Sequence, residues 1–262
     1  MKRYLSLYFQ FFRNCLIRDF EFRFNVLIWT ILHLFWLGLS LLSIELIFGQ
    51  INSIAGWSKQ QVFLLVVVQS IFRDLLYALA LDNFNHFSRY IRKGDLDHVL
   101  LKPINSRFFV STRYFESDRY FGIIISFLVM FKILSNLQIQ PAMTDWLIFS
   151  FLIALGIFIF YNLFFLATTT TFWLTNIFNL DELFSNIISN GRFPVQIYQG
   201  SLKVLFTFII PIAFVATFPV QALFGQVGFN WVIYGAIIAF VSFVFSQMFW
   251  KFALKHYSSA SS

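Results

Sequence analysis

Residues 146–175 read WLIFSFLIALGIFIFYNLFFLATTTTFWLT, thirty positions without one Asp, Glu, Lys or Arg. About 20 mostly apolar residues cross a bilayer as a helix, because each rises about 1.5 Å and the hydrocarbon core is about 30 Å thick. Trp146–Thr175 therefore reads as a membrane helix, long enough to tilt or to project from the bilayer. Working outward, five further stretches fit the same rule: Phe24–Phe48, Gln61–Leu81, Tyr120–Leu134, Val204–Leu223 and Trp231–Phe252. Tyr120–Leu134 is short and is expected to begin earlier, inside the charged segment before it. The expected fold is an all-α membrane protein with six transmembrane helices, built by residues 1–262 as one transmembrane domain.

Composition agrees. Hydrophobic residues make up 59% of the chain and charged residues 12%, against about 45–50% and about 25% in soluble domains. So few charges cannot cover a water-facing surface, and much of the exterior must face lipid. The net charge of +7 is spread between apolar blocks rather than gathered into a stripe. That pattern suits membrane lipids as partners and not nucleic acid. Cys15 is the sole cysteine, so neither an intrachain disulfide nor a cysteine metal site can form. The 39 Phe residues read as interchangeable lipid-facing side chains rather than as an aromatic channel.

Orientation follows from Lys and Arg, which favour cytoplasmic loops. Five precede the first span, seven lie between Arg89 and Arg119, Arg192 and Lys203 lie in the fourth connection, and Lys251 and Lys255 close the chain. Only Lys59 and Lys132 flank the other side. Sixteen against two places both termini in the cytoplasm, and Trp57, Trp146 and Trp231 then fall at outer helix ends. The start, Met1–Leu5, lacks the pattern of a removable signal peptide. Lys2–Leu16, within an interface element over 1–20, reads as a surface helix with Lys2, Arg3, Gln10 and Arg13 on one arc. Tyr4, Tyr8, Phe11 and Phe12 occupy the other. Such a helix can anchor the chain at the inner interface or transmit motion. Ser258–Ser262 reads as a disordered end.

Catalytic patterns are missing: there is no GxxxxGK[ST] phosphate loop, no HExxH, no GxSxG and no His or Cys cluster. His33, within the first span, reads as a packed residue, and Glu45 as an interfacial carboxylate at that span's outer end. Arg73 and Asp74 lie in the second span, where ionisable groups are costly and mark function by default. They can face a polar cavity or a partner. Alternatively, Arg73 snorkels to the headgroups while Asp74 pairs with a neighbouring helix.

The segment 83–119 carries the densest information. From Asn83 to Asn105 it mixes charge and apolar residues at helical spacing. Gly94 reads as a helix stop and Asp95 as the cap of a short turn, Leu96–Leu101, that ends before Pro103. This is either a docking element for a soluble partner or a solvated loop.

The run from Ile91 through Arg92, Lys93, Gly94, Asp95, Leu96 and Asp97 to Leu101, Lys102 and Pro103 resembles the cytoplasmic signature of ABC-2-type transporter permeases. These are membrane subunits of bacterial ABC exporters. Phe193–Tyr198, Ile210–Phe214 and Phe218–Pro219 resemble the same family in the expected order. The resemblance implies that Arg92 to Asp97 and Leu101 to Pro103 couple to ABC ATPase subunits. ATP and Mg would sit on those partners, with no cofactor in this chain. It also implies a second permease chain, identical or paralogous, and residence in the bacterial inner membrane. Residues 209–230 would form an outer re-entrant or broken-helix region, or a simple kink at Pro211 and Pro219. Arg73, Asp74, Pro211 and Pro219 are the candidate translocation-path residues. On this reading the chain is the permease of an ATP-driven exporter of an amphiphilic or hydrophobic cargo, not an enzyme. The rivals are an ion-gradient-coupled carrier, which would work without ATP, an intramembrane lipid-modifying enzyme and a structural component.

Overall fold

The computed structural model describes residues 2–174 and 180–257, so the tail Ser258–Ser262 and the final residue of Trp146–Thr175 lie outside the described residues. All regular structure among the described residues is helical apart from one isolated bridge, Ile54 to Trp57. In chain order the helices are α1 (Lys2–Glu21), α2 (Arg23–Phe48), α3 (Lys59–Leu76), α4 (Asp82–Lys93), α5 (Leu96–Leu100) and α6 (Ser106–Thr112). There follow α7 (Asp118–Asn136), α8 (Met143–Thr169), α9 (Leu180–Ser189), α10 (Gly200–Val204), α11 (Thr217–Leu223) and α12 (Phe229–Lys255). A π-helical turn, Tyr77–Leu81, joins α3 to α4, so one helix runs from Lys59 to Lys93. At about 1.5 Å per residue it is roughly 50 Å long and outreaches the bilayer.

Four helical units among the described residues are long and apolar enough to span: Arg23–Phe48, Lys59–Lys93, Met143–Phe172 and Phe229–Lys255. Two of the six expected spans behave differently. The third corresponds to α7, which starts at Asp118 as the charged segment foretold and is not among those four. The fifth, Val204–Leu223, is not one helix. A second π turn, Leu205–Ile209, ends at Ile210, where the backbone leaves helical geometry (φ −114°, ψ 83°). Pro211, with no amide hydrogen to donate and ψ 72°, follows at once. The chain makes a 3-10 turn over Ile212–Phe214 and resumes as α11. Pro219 causes no break: it occupies the first turn of α11, where amide hydrogens have no helical acceptor.

The central pillar is α3. Val62, Leu64, Leu65, Val67, Val68, Ile71 and Phe72 are fully buried on all faces of the helix. The most apolar stretch of α3–α4 is 78% buried, against 17% for α2 and 22% for α12, whose free faces suit lipid. Ser58 starts α3 with its backbone amide held by Gln61 Oε1 at 2.8 Å, and Lys59 reaches back to Glu45 at 2.6 Å, tying the α2–α3 turn.

The fourth connection departs furthest from expectation. Charge counting puts Arg192 beside Arg89–Arg119, but the segment after α9 packs at the opposite, Ser58 end of α3. Gln196 shares a cavity of about 270 Å³ with Trp57, Gln61, Gln221 and Gln226. The Val195 amide donates to Thr217 Oγ1 at 3.2 Å. The physical reason is that a basic residue marks a loop only when it is solvated. Arg192 instead lies over the Phe193 ring at 5.5 Å, with Nε buried.

Close approach depends on small residues. A Cβ on Gly156 of α8 would stand 2.8 Å from Phe72 Cε2 and 2.9 Å from the Phe214 carbonyl oxygen, whereas one on Gly38 of α2 meets nothing within 4 Å. Gly156→Ala is therefore expected to lower the thermal midpoint of the detergent-solubilised protein, at a cost of about 1–3 kcal/mol. Gly38→Ala should leave it unchanged or raise it.

Candidate functional site

The site is the end of the molecule around Lys93, built from α4 to α6 and the loop to α7. Gly94 stops α4 in the left-handed conformation (φ +74°), its amide bonding the Ile91 carbonyl at 3.3 Å. Asp95 occupies the cap position of α5, but its side chain makes no capping bond, contrary to expectation. The short helix is held by burial instead: Leu96 is fully buried and Val99 nearly so. That anchoring turns Leu100 and Leu101 outward, and Leu101, 82% exposed, is the most exposed large apolar side chain among the described residues. Arg92, Lys93, Asp95, Lys102 and Pro103, near it in the chain, are exposed as well, with Asp97 half-buried.

Helices of five and seven residues do not persist unaided, and each here is tied down. Asn105 caps α6, its Oδ1 accepting from the Phe108 amide at 3.1 Å. One turn on, Arg107 points inward and is almost wholly buried. Its guanidinium donates to Gln247 Oε1 (2.6 Å) and Ser246 Oγ (2.8 Å) on α12 and to Asn162 Oδ1 (2.8 Å) on α8. It stacks 4.4 Å from the Phe165 ring centroid. No carboxylate pairs with it among the described residues. A buried cation held only by neutral dipoles and aromatic faces is tolerated when every donor is directed. Ser111 adds a bond to Tyr161 Oη on α8 at 2.7 Å. Asn83 of α4 grips Tyr114 at both backbone groups, 2.7 and 2.8 Å.

Helix α1 joins the same assembly. Arg3 Nη2 donates to the Pro103 carbonyl at 3.1 Å, and the Asn105 amide donates to Tyr4 Oη at 3.2 Å. Tyr4 meets Phe108, Phe11 meets Phe109, and Tyr8 and Phe12 meet Phe115, all edge-on. Part of the apolar arc expected to face lipid is thus packed on protein.

A second polar cluster lies where α2, α3 and α7 meet. Asp74, 1% exposed, receives Arg73 Nε at 3.2 Å and lies 3.8 Å from Arg119 Nη1 of α7. Arg119 bonds Glu116 at 2.6 Å and lies over the Tyr77 ring at 4.4 Å. His33 is packed, as expected, with Nδ1 3.6 Å from Asp118. Asp74 thus meets Arg119 of a neighbouring helix, while Arg73 reaches Asp74 itself and Ser70 Oγ at 3.3 Å. Burial pushes the Glu116 carboxyl up to about 7 despite the guanidinium beside it. Pro211 and Pro219 lie beyond this cluster, in the broken segment near the other end of α3.

Sequence reading missed Arg107, Asn83 and Asn162. Arg107 was one of seven basic residues in a segment taken as surface, and Asn162 was a lone amide in an uncharged run. That isolation was its only signal.

Set beside known proteins, residues 34–261 match the family model described as ABC-2 family transporter protein. No curated protein and no solved structure matches the chain.

Arg107→Met should cost about 2–3 kcal/mol, the scale of hydrogen bonds to a charged group. Faster amide exchange should be confined mainly to 106–112, and Arg107→Lys should fall between. A second expectation concerns pH. Glu116 binds its proton more tightly folded than unfolded, so its contribution is full below about 4.5 and is lost as pH rises to about 7. Glu116→Gln should therefore gain thermal stability relative to wild type across that window, with the difference level above it.

Proposed function

The chain belongs to the ABC-2 transporter family, and we propose that it is the permease subunit of an ATP-driven exporter of amphiphilic or hydrophobic cargo. Members of that family are membrane components of transporters, and membership implies association with an ABC ATPase. In this reading Lys93 and both termini face the cytoplasm, in the bacterial inner membrane. Six passages are counted, with α9 and the stretch to Tyr198 replacing Val204–Leu223 as the fifth. Gln196 at the Ser58 end of α3 supports that count. Two permease chains, identical or paralogous, would stand together, each on one ATPase subunit carrying the ATP and Mg.

The observation that carries the proposal is the Leu101 projection. An apolar side chain that exposed, with the exposed charges Arg92, Lys93, Asp95 and Lys102 close to it in the chain, lies on a turn anchored by Leu96 and Val99. Exposed apolar groups ringed by charge mark protein contacts. The turn is fixed to α6, and α6 to α8 and α12 through Arg107. ATPase closure would act on the turn and move α8 and α12 together. The broken segment from Pro211 to Leu223, buried between α3 and α8, would form the outer part of the path. Non-helical backbone at membrane depth is tolerated where protein encloses it.

The test is co-purification from the native host in mild detergent. ATPase activity should accompany the wild-type chain, and Leu101→Asp should reduce bound ATPase at least tenfold with the fold intact. Retention of full ATPase by Leu101→Asp, or recovery of a stable chain with none in several detergents, would reject the proposal.

A further inference from the structure

Where α1 bends into α2, the chain forms an open cavity of about 440 Å³, apart from the Leu101 turn. It is lined by Asp19, Asp82, Glu116 and Asp118 and by Arg18 and Arg119, of which Arg18 is the most exposed. Four carboxylates thus face two guanidiniums, an acidic balance inside a chain whose net charge is +7. The guanidiniums are already engaged: Arg18 with Asp19 at 3.0 Å, Arg119 with Glu116 at 2.6 Å. Asp82, 3.8 Å from His86, and Asp118, 3.6 Å from His33 and 3.8 Å from Arg119 Nε, make only these longer contacts.

Three further observations describe what would fit. Behind the wall, His33 Nδ1 is buried without a hydrogen-bond partner and lies 3.6 Å from Oδ2 of the lining residue Asp118. The volume far exceeds the roughly 30 Å³ share of one water molecule, so the space suits a headgroup rather than a bare ion. The rim is aromatic and turned outward, with Phe22 61% and Trp29 49% exposed at the start of the first span. An indole face attracts ammonium groups, and an outward aromatic rim at a span's end suits the membrane interface.

We propose that this cavity binds the ammonium group of an amine-bearing amphiphile, the ammonium on Asp82 and Asp118, the Trp29 ring beside it and the apolar tail in the lipid past Phe22. Two sources share that chemistry: an aminophospholipid of the membrane, whose phosphate would meet Arg18, and a free long-chain amine. The binding needs neither ATP nor an ATPase, and so goes beyond the exporter reading.

The full chain, purified in detergent, is titrated with dioleoyl phosphatidylethanolamine, the matching phosphatidylglycerol and dodecylamine, with native mass spectrometry as the readout. Phosphatidylethanolamine and dodecylamine should bind at least tenfold more tightly than phosphatidylglycerol, and Asp82→Asn with Asp118→Asn should abolish that preference. Asp118 lies in the packed ion cluster, so Asp82→Asn alone and Trp29→Ala serve if the double variant fails to fold, each weakening both amines several-fold. Arg18→Gln identifies the source: loss for the phospholipid alone assigns its phosphate to Arg18, and no loss for either assigns recognition to the ammonium. Equal binding of phosphatidylethanolamine and phosphatidylglycerol, or amine binding indifferent to Asp82→Asn and Trp29→Ala, overturns the proposal. If no ATPase co-purifies while amine selectivity persists, the exporter reading falls and this site stands.

Discussion

Enclosure of α3 is the constraint from which the rest follows. A helix whose Val62–Phe72 stretch is apolar and buried on every face needs protein neighbours all round it. α2 and α7 supply one flank and α8 another; α9 with the turns to Ile197, and the broken segment before α12, close the remainder. At Ile210 and Pro211 the backbone leaves helical geometry, and irregular backbone exposed to lipid would be untenable. Here Ile212 to Val220 are almost wholly buried, so the break costs least where protein already surrounds it. The same crowding explains why Gly156 faces Phe72 and the Phe214 carbonyl: a side chain there would push the broken segment off the pillar.

Arg107 extends this order to the surface. Short helices at the Lys93 end have too few internal bonds to hold a shape. One buried guanidinium shared among Asn162, Ser246 and Gln247 gives them the rigidity of two long helices. With α1 bound across Pro103 and Asn105, the exposed Leu101 sits on a platform rather than on a loose loop. A platform can pass displacement on to the helices beneath it.

What the sequence made legible was local. The uncharged run from Trp146, the stop at Gly94 and the break ahead of Pro211 each follow from a few neighbouring residues, and each stands in the structure. Arg192 and Arg107 were read as surface charges because the pull of a neighbouring dipole or ring, such as Asn162 or Phe165, is set by the fold and leaves no mark beside the arginine. Phe, read as uniformly lipid-facing, divides in two. Phe24, Phe240 and Phe245 are exposed, whereas Phe72, Phe87, Phe160 and Phe165 are fully buried and stack on one another or on Trp250. Composition counts both kinds alike. Asp95 failed as a cap for a similar reason: burial of Leu96 and Val99 fixes α5 without it.

Seating of an ATPase on the Leu101 turn can be captured by placing a photo-crosslinking amino acid at position 101 in native membranes. A crosslink to a protein that binds and hydrolyses ATP is expected, with none from the same probe at Lys59. Crosslinks from position 101 only to lipid or to another copy of this chain would contradict it.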